Sequence, residues 1–126
     1  MHWCGRAQWH CRKPGVSAQK GAGTTSDGAF GFNAIEIDTA VRHKAPVVIV
    51  VANNGAWQIE VHDQTVTHGK VVGTKLQFSD HAAMARAFGM YGERVEKAAE
   101  LGPALDRAFV YLKPDPPGAD PAISQA

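Results

Sequence analysis

The chain has 126 residues, enough for one domain and too few for two ordinary ones. Apolar residues make up 44% and charged residues 20%, a globular composition, and 13 basic against 12 acidic side chains leave a net charge of +1. That balance excludes a global electrostatic pull on nucleic acid or an anionic membrane, and no apolar run approaches the ~20 residues that span a bilayer.

Residues 1–25, "MHWCGRAQWHCRKPGVSAQKGAGTT", carry neither a helical nor a strand period and end in Gly, Ala and Thr. They read as an irregular N-terminal segment. The basic residues precede no apolar stretch of the kind a secretory signal needs. Cys4 and Cys11 are the only cysteines, and both lie here rather than spread through a core, so a cytoplasmic location is expected. His2, Cys4, His10 and Cys11 could hold a metal on paper, but their spacing fits no usual zinc pattern.

Residues 26–112 alternate between helical and strand patterns. In "NAIEIDTAVRH", Ala34, Ile37, Asp38 and Val41 share a mostly apolar face, with Ile35, Thr39 and Arg42 on another. Asp38 and Arg42 have the i,i+4 spacing of an ion pair, and Pro46 stops the helix. "PVVIVVAN" is apolar on every residue from 47 to 51 and mostly β-branched, the pattern of a strand buried on both faces. The "EVHD" segment that follows reads as a polar loop. Ser79 is placed to cap a second helix, "DHAAMARAF", ended by Gly89. "ERVE" fits a short strand, and "AAELGPALDRAFVYL" a third helix with Leu101, Leu105 and Phe109 at four-residue spacing. Residues 113–126 hold four prolines and read as an extended tail.

The expected fold is therefore α/β: an incomplete three-layer α/β/α domain with a short, mainly parallel sheet. Asp27 falls at the entry to a helix, followed by Gly28, Ala29 and Gly31, small residues that let a ligand approach the backbone. Asn53 and Asn54 fall at the C-terminal end of the strand, the edge where open α/β sheets bind ligands. Asp27 and Asn54 offer the hard oxygens that suit Mg²⁺ beside a phosphate. Taken singly, a helix cap and an ordinary turn would account for them; their order favours a site.

These residues carry a resemblance. "DG" at Asp27, followed by the "NN" of Asn53 and Asn54, resembles the diphosphate motif of thiamine diphosphate enzymes. The intervening text, and the later "FSDHAAMARAFGMYGERVEKAAELGPALDRAF", look like the acetolactate synthase and 2-oxoacid decarboxylase branch. The similarity covers roughly residues 26–110. It implies Mg²⁺ bound by Asp27, the Asn54 side-chain oxygen and the Ala56 carbonyl. It further implies thiamine diphosphate facing the backbone N–H groups of Gly28, Ala29 and Phe30. Glu60, in "NNGAWQIE", matches a position where some family members keep a carboxylate near the reacting carbon.

The departures are as informative. Ser26 replaces the family's first glycine, and serine does not enter positive φ cheaply. The strand that should precede the motif reads as absent, because "VSAQKGAGTT" is polar and glycine-rich. The family's closing strand is replaced by the proline-rich tail. Family enzymes build each site from two domains, the second bringing a glutamate that activates the aminopyrimidine ring. A truncated gene with shifted reading frames at both ends would account for all of this, and the coding DNA tests it.

Three functions follow. The first is a thiamine diphosphate- and Mg²⁺-binding domain of lyase or transferase type, acting on a small-molecule substrate. It would work as a homo-oligomer or with a partner chain supplying the pyrimidine-binding domain. The second is a stand-alone hydrolase, for example of glycosidase type, built on carboxylates among Asp27, Glu36, Asp38, Glu60 and Asp63 with His43, His62, His68 and His81 nearby. Glu36 and Asp38 read more simply as helix surface charges. No G-x-S-x-G occurs, which disfavours a nucleophile-elbow serine hydrolase. The third is a non-catalytic assembly module using open sheet edges, with Trp57 covering either the cofactor pocket or an interface.

Overall fold

The structure is a computed structural model and describes residues 21–112. Its elements are β1 (Gly21–Ser26), α1 (Asp27–Asn33), α2 (Glu36–Arg42), β2 (Val47–Ala52), α3 (Gln58–His68), α4 (His81–Ala87) and α5 (Leu101–Tyr111), with a 3₁₀ turn at Ala98–Glu100 leading into α5. β1 and β2 pair in parallel, from Gly21 opposite Val47 to Ser26 opposite Ala52. Parallel neighbours need a crossover rather than a hairpin. Here α1 and α2 supply it, giving an α/β fold in which helices flank a short parallel sheet.

β1 corrects the sequence reading. A strand does precede the motif, formed by Gly21–Ser26 at the end of the segment read as irregular. The polar, glycine-rich sequence hides it because the ladder's hydrogen bonds come from backbone groups. A β-branched partner, β2, supplies the packing that β1 lacks. The cluster His2, Cys4, His10 and Cys11 and the proline-rich tail lie outside the described residues.

The core is small and sits against this βαβ unit. Phe30, Ala34 and Ile37 are its buried members, and Val41, Ile49, Val51, Met84, Ala85, Phe88 and Met90 pack on it. Ala34, Ile37 and Val41 are the expected helix face, although the helical path breaks into α1 and α2. At the break, Ile37 and Asp38 donate back to Ala34 and Ile35, three residues earlier, at 3.2 and 3.0 Å, the tighter 3₁₀ spacing. The Asp38–Arg42 pair forms at 2.6 Å. β2 is less buried than its sequence predicts: only Val48 is fully buried and Ala52 is exposed. Among the described residues β2 has one neighbouring strand and one open edge, without the double coverage of a central parallel strand.

Three further expectations are corrected. "EVHD" is not a loop but part of α3, where Glu60, His62 and Asp63 follow Trp57 into the helix. "ERVE" is not a strand; Glu93 instead bonds Tyr91 and Arg107. The cap of α4 is Asp80, not Ser79: the Asp80 carboxylate accepts from the Ala83 N–H at 2.8 Å. That bond holds the Asp80 carboxyl below its usual pKa, helped by the nearby Arg86 charge.

Candidate functional site

The site is built where β1 passes into α1 and β2 passes into the loop before α3. Ser26 ends β1 with φ −83° and ψ 162°, and its hydroxyl accepts from the Ala29 N–H at 3.4 Å. A serine therefore serves where the family has glycine, because this turn uses extended backbone and needs a cap. Asp27 follows directly. It is buried at 5% exposure, which for a carboxylate demands partners. Oδ2 accepts from the Gly55 N–H at 2.9 Å, tying the head of α1 to the end of β2. Oδ1 is buried and has no hydrogen-bond partner.

The far end of the motif is pinned from two sides. Asn53 Oδ1 also accepts from the Gly55 N–H, at 3.2 Å, while Asn53 Nδ2 donates to the Ser79 carbonyl at 3.0 Å. Gly55 turns at φ +67°, and a Cβ there would meet the Phe78 ring at 3.0–3.3 Å. Residues 55–57 then run antiparallel to 74–76: Leu76 N–H donates to the Gly55 carbonyl at 2.7 Å, and Trp57 N–H to the Thr74 carbonyl at 2.8 Å. Ala56 lies within this bridge, opposite Lys75. Asn54 is exposed, and its Oδ1 accepts from the Ala56 N–H at 3.1 Å.

Between these ends lies a cavity of about 400 Å³, lined by Asp27, Gly28, Phe32, Trp57, Leu76 and His81 among others. Trp57 packs directly on Gly28: a methyl group on Gly28 would meet the indole ring at 2.6–2.9 Å. Phe32 leans against the same indole with centroids 5.3 Å apart. His81 Nε2 is buried without a partner, and its ring stands edge-on to Phe30 at 5.1 Å. Asp27 and Gly28 both line this cavity, whereas Asn54 and Ala56 are not among its lining residues. Ala29 and Phe30 continue the first turn of α1, with Ala29 N–H engaged by Ser26 and the Phe30 side chain in the core. Glu60 lies elsewhere, in a separate cleft of about 380 Å³ with Ile59, Asp63 and Gln64.

Sequence reasoning missed Gly55 and gave His81 no place in this site. Gly55 had a signal, a glycine directly after two asparagines, where a left-handed turn is often needed. His81 had none, because nothing local distinguishes it from any polar residue at a helix start.

The family model for the thiamine pyrophosphate enzyme C-terminal TPP binding domain matches residues 15–117. The chain belongs to this family. Thiamine pyrophosphate is thiamine diphosphate under another name, so the resemblance read from "DG" and "NN" holds. A probable acetolactate synthase of Mycobacterium bovis is 46% identical over 84 residues, covering 66% of this chain and 15% of the relative. A sulfoacetaldehyde acetyltransferase of Castellaniella defragrans is 39% identical over 84 residues, covering 66% of this chain and 14% of that protein. The human 2-hydroxyacyl-CoA lyase 2 is 39% identical over 66 residues, covering 52% and 10%. The chain therefore spans about 15% or less of the length of these curated relatives.

Among the described residues no cluster of three or more His, Cys, Asp or Glu side chains could hold a metal by itself. Phosphoryl oxygens suit a cation that one carboxylate and neutral oxygens hold incompletely, as Mg²⁺ sites usually do. An unpartnered, buried carboxylate oxygen on a residue lining a cavity at a helix start fits a metal–diphosphate group. Also among the described residues, no helix is long and apolar enough to cross a membrane.

Proposed function

We propose that this chain is a thiamine diphosphate- and Mg²⁺-binding half-site of lyase or transferase type. The observation that carries this reading is Asp27 Oδ1, a buried carboxylate oxygen with no partner, on a residue lining the cavity beside Gly28. Asp27 would hold the cation, joined by Asn54 Oδ1 once it exchanges its Ala56 N–H for metal, and by the Ala56 carbonyl. The Gly28 and Phe30 N–H groups of the first turn of α1 would take diphosphate oxygens, joined by the Ala29 N–H once it exchanges the Ser26 hydroxyl for phosphate. When bound, thiamine diphosphate supplies an electron sink for making or breaking a carbon–carbon bond beside a carbonyl. This chain's own residues position it: Asp27 fixes the cation end, Gly55 keeps the two motif ends together, and Trp57 walls the cavity.

The substrate is a small molecule, and the chain works in the cytoplasm as a homo-oligomer or with a partner chain supplying the pyrimidine-binding domain. Phe32 at 77% exposure, next to the Trp57 wall, supports such a contact. A hydrolase built on Glu60 and Asp63 draws on the cleft these two share on α3. In that case Glu60→Gln would abolish hydrolysis and metal chelation would not. For the main reading, titration calorimetry of thiamine diphosphate into metal-free protein should give binding only with Mg²⁺, lost in Asp27→Ala. Binding that ignores both Mg²⁺ and Asp27 would rule the half-site out.

A further inference from the structure

We propose that His81 is a ligand-binding residue of the Asp27 cavity, donating from Nε2 to an anionic oxygen of a phosphorylated ligand. The inference rests on the metal–diphosphate reading and adds a contact to it. Among the described residues only two buried side-chain polar atoms lack a partner, Asp27 Oδ1 and His81 Nε2. Their residues line the same cavity. Leaving such an atom unpaired is costly, and natural structures rarely do so without a reason.

The two atoms ask for opposite charges. A carboxylate oxygen accepts and attracts a cation, whereas Nε2, in the tautomer that carries its hydrogen there, donates and suits an anion. A lone cation would answer only Asp27, and a lone phosphate only His81. A divalent cation carrying a diphosphate satisfies both at once.

The imidazole is held by packing rather than by hydrogen bonds. Its ring stands at 79° to Phe30, itself 6% exposed in the core, and Asp80 fixes the start of α4 one residue earlier. The charged neighbours are engaged elsewhere, Asp80 with the Ala83 N–H and Arg86 with the Gly92 carbonyl at 2.7 Å. A residue needed only to fill space against Phe30 would do better as phenylalanine, which has no polar atom to bury.

The test compares the intact chain with His81→Phe and His81→Gln, using Mg²⁺ with inorganic diphosphate and Mg²⁺ with thiamine diphosphate. In calorimetry, His81→Phe should raise Kd for both probes about tenfold, the loss of one charge-assisted hydrogen bond. His81→Gln, which retains a donor, should recover part of it. The ligand-free His81→Phe protein should melt no lower than the intact one, opposite to a purely structural residue. In the intact protein, the His81 Nε2 signal in ring ¹⁵N spectra should move with Mg²⁺–diphosphate and not with Mg²⁺ alone. Unchanged Kd values and a static Nε2 signal, with Asp27-dependent binding intact, would overturn the His81 contact and leave the half-site standing. Failure of the intact protein to bind either probe would overturn both.

Discussion

The βαβ unit and the helices that follow it differ in how deeply their side chains are buried. From β1 to β2, apolar burial dominates: Phe30, Ala34, Ile37 and Val48 are buried there, with Asp27 among them. From α3 to α5 the only buried hydrophobic residue is Ala104. That half packs Met84, Ala85, Phe88 and Met90 on the edge of the core and adds polar ties and a ring stack. Gln64 clamps the loop after α3, accepting from the Val72 N–H at 2.8 Å and donating to the Val72 carbonyl at 3.2 Å. Arg107 reaches back from α5 to Glu93 at 3.0 Å, and Tyr91 stacks on Tyr111 at 4.1 Å. The candidate site sits on the seam. Its charged anchor comes from the apolar half, while Trp57, Leu76 and His81 come from its end and beyond.

The largest expected effect breaks that contrast directly. Phe30→Ala should destabilise the chain by ~3–5 kcal/mol, as emptied core positions do, measured by denaturant unfolding. Val66→Ala, at a position 73% exposed on α3, should stay within about 0.5 kcal/mol of the original. Equal losses at the two positions would erase the distinction between the halves.

Gly28→Ala probes the seam. Its Cβ would lie within 3 Å of the Trp57 ring, and overpacking of that kind costs ~1–3 kcal/mol. Trp57 fluorescence in a chain with Trp3 and Trp9 replaced should shift as the indole is displaced.

The smallest effect belongs to the polar half. Arg107 and Tyr91, both hydrogen-bonded to Glu93, hold its carboxyl down at about 2. A lowered folded pKa means the pair stabilises above the usual carboxylate value of about 4.5, and the contribution is lost as pH falls from there through 2. The pair is exposed, so water and salt keep its effect modest. Protection of the α5 amides, taken relative to intrinsic exchange at each pH, should fall over that acid range and should lose most of this pH dependence in Arg107→Met.

What could be read from the sequence follows the same division. Ala34, Ile37 and Val41 announced a buried face, and the β-branched run of β2 announced a strand, because side chains carry those signals. The approach of Asp27 to the end of β2 was implied by the resemblance of "DG" and "NN" to the family's motif. β1 was illegible because backbone pairing with β2 orders it and its side chains add little. α3 was illegible in "EVHD" because an exposed helix with no buried residue has no apolar face to declare. The role of His81 depends on where α4 meets α1 in space, which no local pattern encodes.

Crystals grown with Mn²⁺ and diphosphate would test the central claim most directly, since Mn²⁺ shares the oxygen preference of Mg²⁺ and scatters anomalously. The account predicts one anomalous peak ligated by Asp27 Oδ1, with diphosphate density between it and the start of α1. A strong diphosphate-dependent peak away from Asp27, or none at saturating Mn²⁺ and diphosphate, would contradict it.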